Sequence, residues 1–166
     1  MSRFVAILVA ALVLSQQSMG QSLDRDSDSM VVGSVVSDLV DDSNAQEWFY
    51  SEPISDTLFE RMWGKSFKDN CPLSRDELRY LRLLHYGTDG QVRVGEMVCN
   101  VAIADDLLYI FRKLFEARYP IESVLLVDDF DADDQRSMQA NNSSSFNFRF
   151  ISGTTKISKH GRGMAV

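Results

Sequence analysis

Arg79-Tyr80-Leu81-Arg82-Leu83-Leu84-His85-Tyr86 leads through Thr88-Asp89-Gly90 into Gln91-Val92-Arg93-Val94-Gly95-Glu96-Met97-Val98. Asp-Gly between two strand-like runs is a strong short-range hairpin signal. The second run alternates Val92 and Val94 with Gln91 and Arg93, as a strand with two unlike faces does. Asn100 then stands where a helix N-cap belongs. From Val101 to Tyr119, Ile103, Leu107, Ile110, Phe111, Leu114 and Phe115 recur at helical spacing and form one apolar stripe. Asp105 and Asp106 lie in the first half of that helix, and Arg112, Lys113 and Arg118 in the last, which suits the helix dipole. Pro120 ends it.

Outward from this core, Ile121–Val127 reads as a buried strand, residues 137–145 as a loop, and Phe146–Ile151 as a further strand. Upstream, Ile54–Trp63 has helical spacing, with Leu58, Phe59 and Met62 on one side and Glu60 and Arg61 turned away. Hairpin, helix, strand, loop and strand together predict an α+β domain. Its sheet is expected to be mixed or antiparallel, with flanking helices.

The chain has 166 residues, 45% hydrophobic and 25% charged, the profile of one soluble globular domain. The net charge of −7, with Lys and Arg scattered, argues against nucleic acid as a partner. Arg3, the apolar run Phe4–Leu14 and small residues at Ser18 and Gly20 have the layout of a secretory signal peptide cut near Gly20. That run would cover only about 16 Å as a helix, roughly half a bilayer core, so no permanent membrane anchor is expected. Removing residues 1–20 takes away one charge, Arg3, and leaves −8. The expected organisation is a signal peptide at 1–20, a polar, acidic leader at 21–46 and the folded domain at 47–166. Export makes a Cys71–Cys99 disulfide plausible; it would close a loop of about 28 residues and contribute about 3 kcal/mol. Two free, buried thiols fit the sequence equally well.

The last residues are Ser158-Lys159-His160-Gly161-Arg162-Gly163-Met164-Ala165-Val166. Ser158, His160, Gly163 and Ala165 match the Ser-x-His-x-x-Gly-x-Ala-x-Asp motif of zinc D-alanyl-D-alanine carboxypeptidases, a family that includes VanY-type enzymes and some phage endolysins. The motif's Asp position falls directly after Val166. Residues from about 60 onward also resemble one bacterial branch of that family. The segments that carry this are Gly64-Lys65-Ser66, Asp76–Leu81, Val94–Met97, Ala102–Asp106, Tyr119–Glu122, Ser137-Met138, Asn141-Asn142, Phe146-Asn147 and Gly153–Thr155.

The resemblance implies a zinc DD-peptidase (hedgehog-like) fold and an exported, periplasmic or secreted hydrolase of peptidoglycan stem peptides. The bond cut would be D-Ala-D-Ala or L-Ala-D-Glu. It implies zinc as cofactor, with His160 as one ligand; the motif's Asp and a distant second His would complete the set. Zinc in such sites lowers the pKa of a bound water and polarises the scissile carbonyl. The Ser-Gly-Tyr-Arg segment of better-known relatives is absent, and the branch pattern puts Arg149 in its place, to hold the substrate carboxylate or an oxyanion. Ser158 is implied as a substrate-binding residue. Ligands for one zinc must each come within about 2 Å of it. Seven extended residues span roughly 23 Å, so the chain after His160 must double back, and Gly161 and Gly163 allow that. With one ligand of three, the 166 residues alone are expected to be inactive, and the part of the sheet still wanting is expected to leave an open edge.

Other readings stay beside this one. A non-catalytic cell-envelope module on the same scaffold would bind wall peptide without cutting it. His85, inside a strand, reads as a packed or surface residue. Asp128-Asp129-Phe130-Asp131-Ala132-Asp133-Asp134 has the first three spacings of a calcium loop, but Asp134 stands at the glycine position and Ala140 at the final glutamate position. It is expected to be a solvated loop near the site. Asn141 and Asn142 read as turn residues.

Overall fold

Three strands make one sheet: β1 (Tyr50–Pro53), β2 (Leu78–Tyr86) and β3 (Val92–Asn100), side by side in that order. The computed structural model describes residues 31–41 and 43–166; the expected signal peptide at 1–20 lies outside them. Both joins are antiparallel, so the sheet is antiparallel rather than mixed. β2 and β3 pair from Leu78↔Asn100 to Tyr86↔Val92 without a slip. The turn between them closes through Gly87 N–H to the Gln91 carbonyl (2.8 Å) and Gly90 N–H to the Gly87 carbonyl (2.9 Å). The Asp89 carboxylate accepts from Gln91 N (3.1 Å), as a turn Asp does. The Asp-Gly reading therefore holds.

α1 (Asp56–Met62) starts at Ser55, whose hydroxyl accepts from Leu58 N, and buries Met62 fully. After β3, the Asn100 side chain accepts from Ala102 N and opens a short 3-10 turn (Val101–Ile103) that runs into α2 (Ala104–Glu116). The face α2 buries is the expected stripe with one exchange: Ile103, Leu107, Phe111, Leu114 and Phe115 pack on the core, and Leu108 joins them in place of Ile110. Ala104, Leu107, Leu108 and Phe111 are buried, while Ile110 faces solvent.

β2 and β3 are buried along nearly their whole length, because both faces are covered. One face packs Leu81, Leu83, Met97 and Cys99 with α2; the other packs Leu78, Tyr80 and Val98 with Met62, Leu126, Phe146 and Phe148. Each fully buried Leu, Phe or Met contributes about 2 kcal/mol from apolar area. Cys71 and Cys99 are both free thiols, each in a different one of these clusters. Burial pushes the Cys99 thiol up to about 12.

The outer edge of β3 is not open, contrary to expectation. Separate segments take turns on it. Gly33 and Val36 donate to Val94 O and Val92 O (2.8 Å each), and Val94 N donates to Ser34 O (3.1 Å). Glu96 N donates to Val124 O, Phe146 N to Val98 O and Asn100 N to Gly163 O (2.9 Å each). Part of the expected polar leader thus belongs to the fold, with Val36 buried in the core.

Ile121–Val127 and Phe146–Ile151 make these contacts as extended segments rather than ladder strands. At the first, one side chain replaces a neighbouring strand: Asn142 Oδ1 accepts from Leu125 N (2.8 Å) and its Nδ2 donates to Leu125 O (3.0 Å). The expected 137–145 loop begins inside a short helix, α3 (Asp134–Gln139), capped by the Asp133 carboxylate. Among the described residues no helix is long and apolar enough to cross a membrane.

Candidate functional site

Residues 147–151 and 156–160 run antiparallel. Asn147 N donates to His160 O (3.0 Å), Ser158 N to Arg149 O (3.0 Å) and Ile151 N to Lys156 O (2.8 Å), with Phe150 bridged to Ile157. The turn is fixed by Gly153 at φ +71° and by Thr154, whose hydroxyl donates to Ile151 O (2.9 Å). This register sets Asn147 opposite His160 and Arg149 opposite Ser158. Directly opposed residues and those two apart share a face, so Asn147, Arg149 and Ser158 lie on one face of the hairpin, while Lys159, helical at φ −62° and ψ −40°, takes His160 out of the strand alternation at the hairpin's end.

The end of the hairpin folds back in a 3-10 turn, His160–Arg162, and is tied to the sheet. The Ser158 hydroxyl accepts from Gly161 N (2.8 Å), and the carbonyl of Gly163 accepts from Asn100 N and from the Ser145 hydroxyl (3.3 Å). Gly163 has φ +64°, and a Cβ there would lie 2.6 Å from Asn100 N. At Gly161 a Cβ would lie 2.8 Å from the Arg149 carbonyl oxygen. Only glycine lets the two segments approach so closely. Ser158 is buried, and its hydroxyl shapes the turn that carries His160.

The imidazole of His160 is half-buried, with Nδ1 3.0 Å from the carbonyl oxygen of Ser145. A carbonyl only accepts, so Nδ1 carries the proton and Nε2 keeps its lone pair in the neutral ring. Metal-ligating histidines are commonly held in this way. Among the described residues no group of three or more His, Cys, Asp or Glu could hold a metal ion. His160 fits one ligand position, and these residues alone do not form a closed zinc site.

Arg149 has its Nε paired with the Asp134 Oδ2. Its two terminal nitrogens have no partner among the described residues, and the side chain is 38% exposed. Such a fork suits a carboxylate, which it would grip with two parallel bonds.

Within the acidic run 128–134, Asp129, Asp131 and Asp133 are exposed as expected for a solvated loop, but Asp128 is not. Asp128 is buried and accepts from Ser66 N (3.1 Å) and the Ser66 hydroxyl (2.9 Å). Burial raises its carboxyl above the ordinary range, while the Ser66 bonds act in the opposite direction. Ser66 O in turn accepts from Phe148 N (2.9 Å), which joins the acidic run to the hairpin. Asp131 pairs with Arg136 (2.5 Å) and Lys65 (3.4 Å), and Asp133 caps α3. Asp134 Oδ1 accepts from Asn147 Nδ2 (2.8 Å).

Arg61, expected to turn away from the core, turns inward. Its Nη2 lies 2.6 Å from Glu96 and 2.6 Å from Asp129. Glu96 is 2% exposed and lies opposite the buried Arg82 in the sheet, so this contact ties α1 to a buried polar position of β3. His85 is also buried, with Nδ1 2.9 Å from Ile121 O, and burial lowers its pKa.

Sequence reasoning missed Asp134, Asn147 and the Ser145 carbonyl. The Ser-Gly-Thr-Thr turn at 152–155 could have exposed one of them, Asn147, because pairing 151 with 156 and counting back puts 147 beside 160. Comparison of the chain with protein-family models, with curated proteins and with solved structures returns no match in any of the three.

Proposed function

We propose that this chain is an exported zinc metallopeptidase of the D-alanyl-D-alanine carboxypeptidase-like kind, acting on peptidoglycan stem peptides outside the cytoplasm. The observation that carries the reading is the way His160 is held at the end of the 147–160 hairpin. Its Nδ1 is bound by the Ser145 carbonyl, which leaves Nε2 as the ligand atom, and Arg149 stands two registers away on the facing segment with an unoccupied fork. In this reading His160 is one ligand of the zinc, and the remaining ligands come from outside residues 1–166. Arg149 grips the carboxylate of the peptide and thereby fixes which bond faces the metal side of the hairpin. Ser158 keeps the His160 turn in shape. The α+β architecture is compatible with a zinc DD-peptidase fold, which this reading adopts.

The test is release of D-Ala, or of stem peptide, from pentapeptide-containing peptidoglycan by the protein made from its complete reading frame. Release should stop on exhaustive chelation and return with zinc. Activity that survives chelation rejects the metallopeptidase reading.

A second reading has its own support. The described residues hold one candidate imidazole ligand beside a free guanidinium fork, which is enough to bind a carboxylate-ended wall peptide without cutting it. The codons that follow Val166 separate the two. An Asp there, with a distant acidic-x-x-His segment, favours the enzyme. A stop in the natural gene favours the binding module.

A further inference from the structure

Asp134 touches two members of the hairpin face at once. Oδ1 accepts from Asn147 Nδ2 and Oδ2 pairs with Arg149 Nε. Arg149 is a long side chain, and a free guanidinium on it would sample many rotamers. The Asp134 ion pair is made at Nε, which is buried and makes no hydrogen bond among the described residues, and it leaves the Nη1–Nη2 end of the guanidinium for a ligand carboxylate. Asp134 is itself placed by a costly local backbone. Asp131 and Ala132, just before it, both lie in the left-handed region (φ 57° and 56°), which Ala rarely adopts. Asn147 Nδ2 also donates to Ala132 O (3.2 Å), and Lys65 and Arg136 grip Asp131, so the strained bend is held from both sides. Asp133 caps the helix that Asp134 begins.

We infer that Asp134 is a positioning residue that sets the Arg149 guanidinium for a ligand carboxylate, so that the acidic run is part of the substrate-holding apparatus. The inference rests on the reading of Arg149 given above. Asn147 is the second anchor: it lies 3% exposed between Asp134, Ala132 and the backbone of His160, so one side chain links the acid, the strained bend and the histidine turn.

The experiment is nitrogen-15 NMR of the arginine Nε–H signals of the purified chain, with Arg149→Lys identifying the Arg149 signal. The wild type should show that signal protected from solvent exchange. Asp134→Asn should expose it, with exchange faster by roughly tenfold, and should weaken binding of N-acetyl-D-alanyl-D-alanine by roughly tenfold, as loss of a charge-assisted contact does. Asp133→Asn removes the same charge from the neighbouring residue but keeps a good cap, and should leave the Arg149 signal in place. If Asp134→Asn loses the folded amide spectrum, Asp134→Glu serves instead: it should move the Arg149 signal while amide signals elsewhere stay fixed. An Arg149 signal unchanged by either Asp134 substitution overturns the inference. A signal that depends on Asp134 in a chain that binds no dipeptide upholds Asp134 as the anchor and rejects Arg149 as the carboxylate holder.

Discussion

The Nδ1 of His160 lies 3.0 Å from the backbone carbonyl oxygen of Ser145, fifteen residues earlier in the chain. Ser145 is itself held, since its hydroxyl donates to Gly163 O and the next residue donates to β3 at Val98 O. The ring is therefore aimed by the sheet. The neutral imidazole should be the Nδ1–H tautomer, which nitrogen-15 shifts and couplings of the His160 ring report directly. A dominant Nε2–H tautomer would mean that the lone pair faces the wrong way for the ligand role.

Gly163 separates a turn that His160 needs from a strand it must touch. Gly163→Ala forces a Cβ to within 2.6 Å of Asn100 N at a φ of +64°. The left-handed backbone and the displaced strand contact should together cost about 2–4 kcal/mol, read as a lower urea midpoint with unchanged slope. Gly163→Ala with a wild-type midpoint would contradict the close approach described here.

Arg61 pairs at once with the buried Glu96 and with Asp129 of the acidic run. Arg61→Met should cost about 2 kcal/mol, because it removes a charge-assisted contact from a carboxylate with 2% exposure while its cross-strand neighbour Arg82 remains. Arg61→Lys should cost less. Thermal or urea unfolding decides it. A loss for Arg61→Met below about 1 kcal/mol is what an ordinary surface pair gives, and would make this contact incidental.

Asp128 carries a pH signature. Burial holds its carboxyl above 3.8, so the folded state binds that proton more tightly than the unfolded chain does. The group contributes stability below 3.8 that is lost as pH rises from there through its folded pKa. Asp128→Asn cannot ionise and retains an acceptor for Ser66 N. Unfolding free energy of the wild type minus that of the variant should thus fall as pH rises above 3.8. A difference that grows with pH would mean that the Ser66 bonds outweigh burial.

What was legible in the sequence was what local chemistry fixes. Asp89-Gly90 gave the hairpin, Asn100 the 3-10 turn that leads into α2, and the spacing of Leu58, Phe59 and Met62 the first helix. What was not legible depends on partners far along the chain. Nothing near Arg61 says that Glu96 and Asp129 will meet it, and a charge beside an apolar stripe ordinarily faces water. The 128–134 run reads as solvated because its seven residues carry five Asp, and only the fold supplies Ser66, Lys65, Arg136 and Asn147 to hold them. Ile121–Val127 and Phe146–Ile151 have strand composition, but the edge of β3 is shared among too many segments for either to form a ladder. At the candidate site, the motif marked Ser158 and His160, and the branch pattern marked Arg149. Asp134, which holds Arg149, sits fifteen residues before it in a stretch that the charge pattern alone explains.

The central claim, that His160 is a zinc ligand of a peptidase-type site, is tested most directly by metal content. The protein made from its complete reading frame, purified without added metal and then dialysed against zinc, should hold one zinc per chain by elemental analysis. His160→Ala should lose it while the folded amide spectrum is retained. A protein that holds no zinc, or a His160→Ala variant that holds as much as the wild type, contradicts the account.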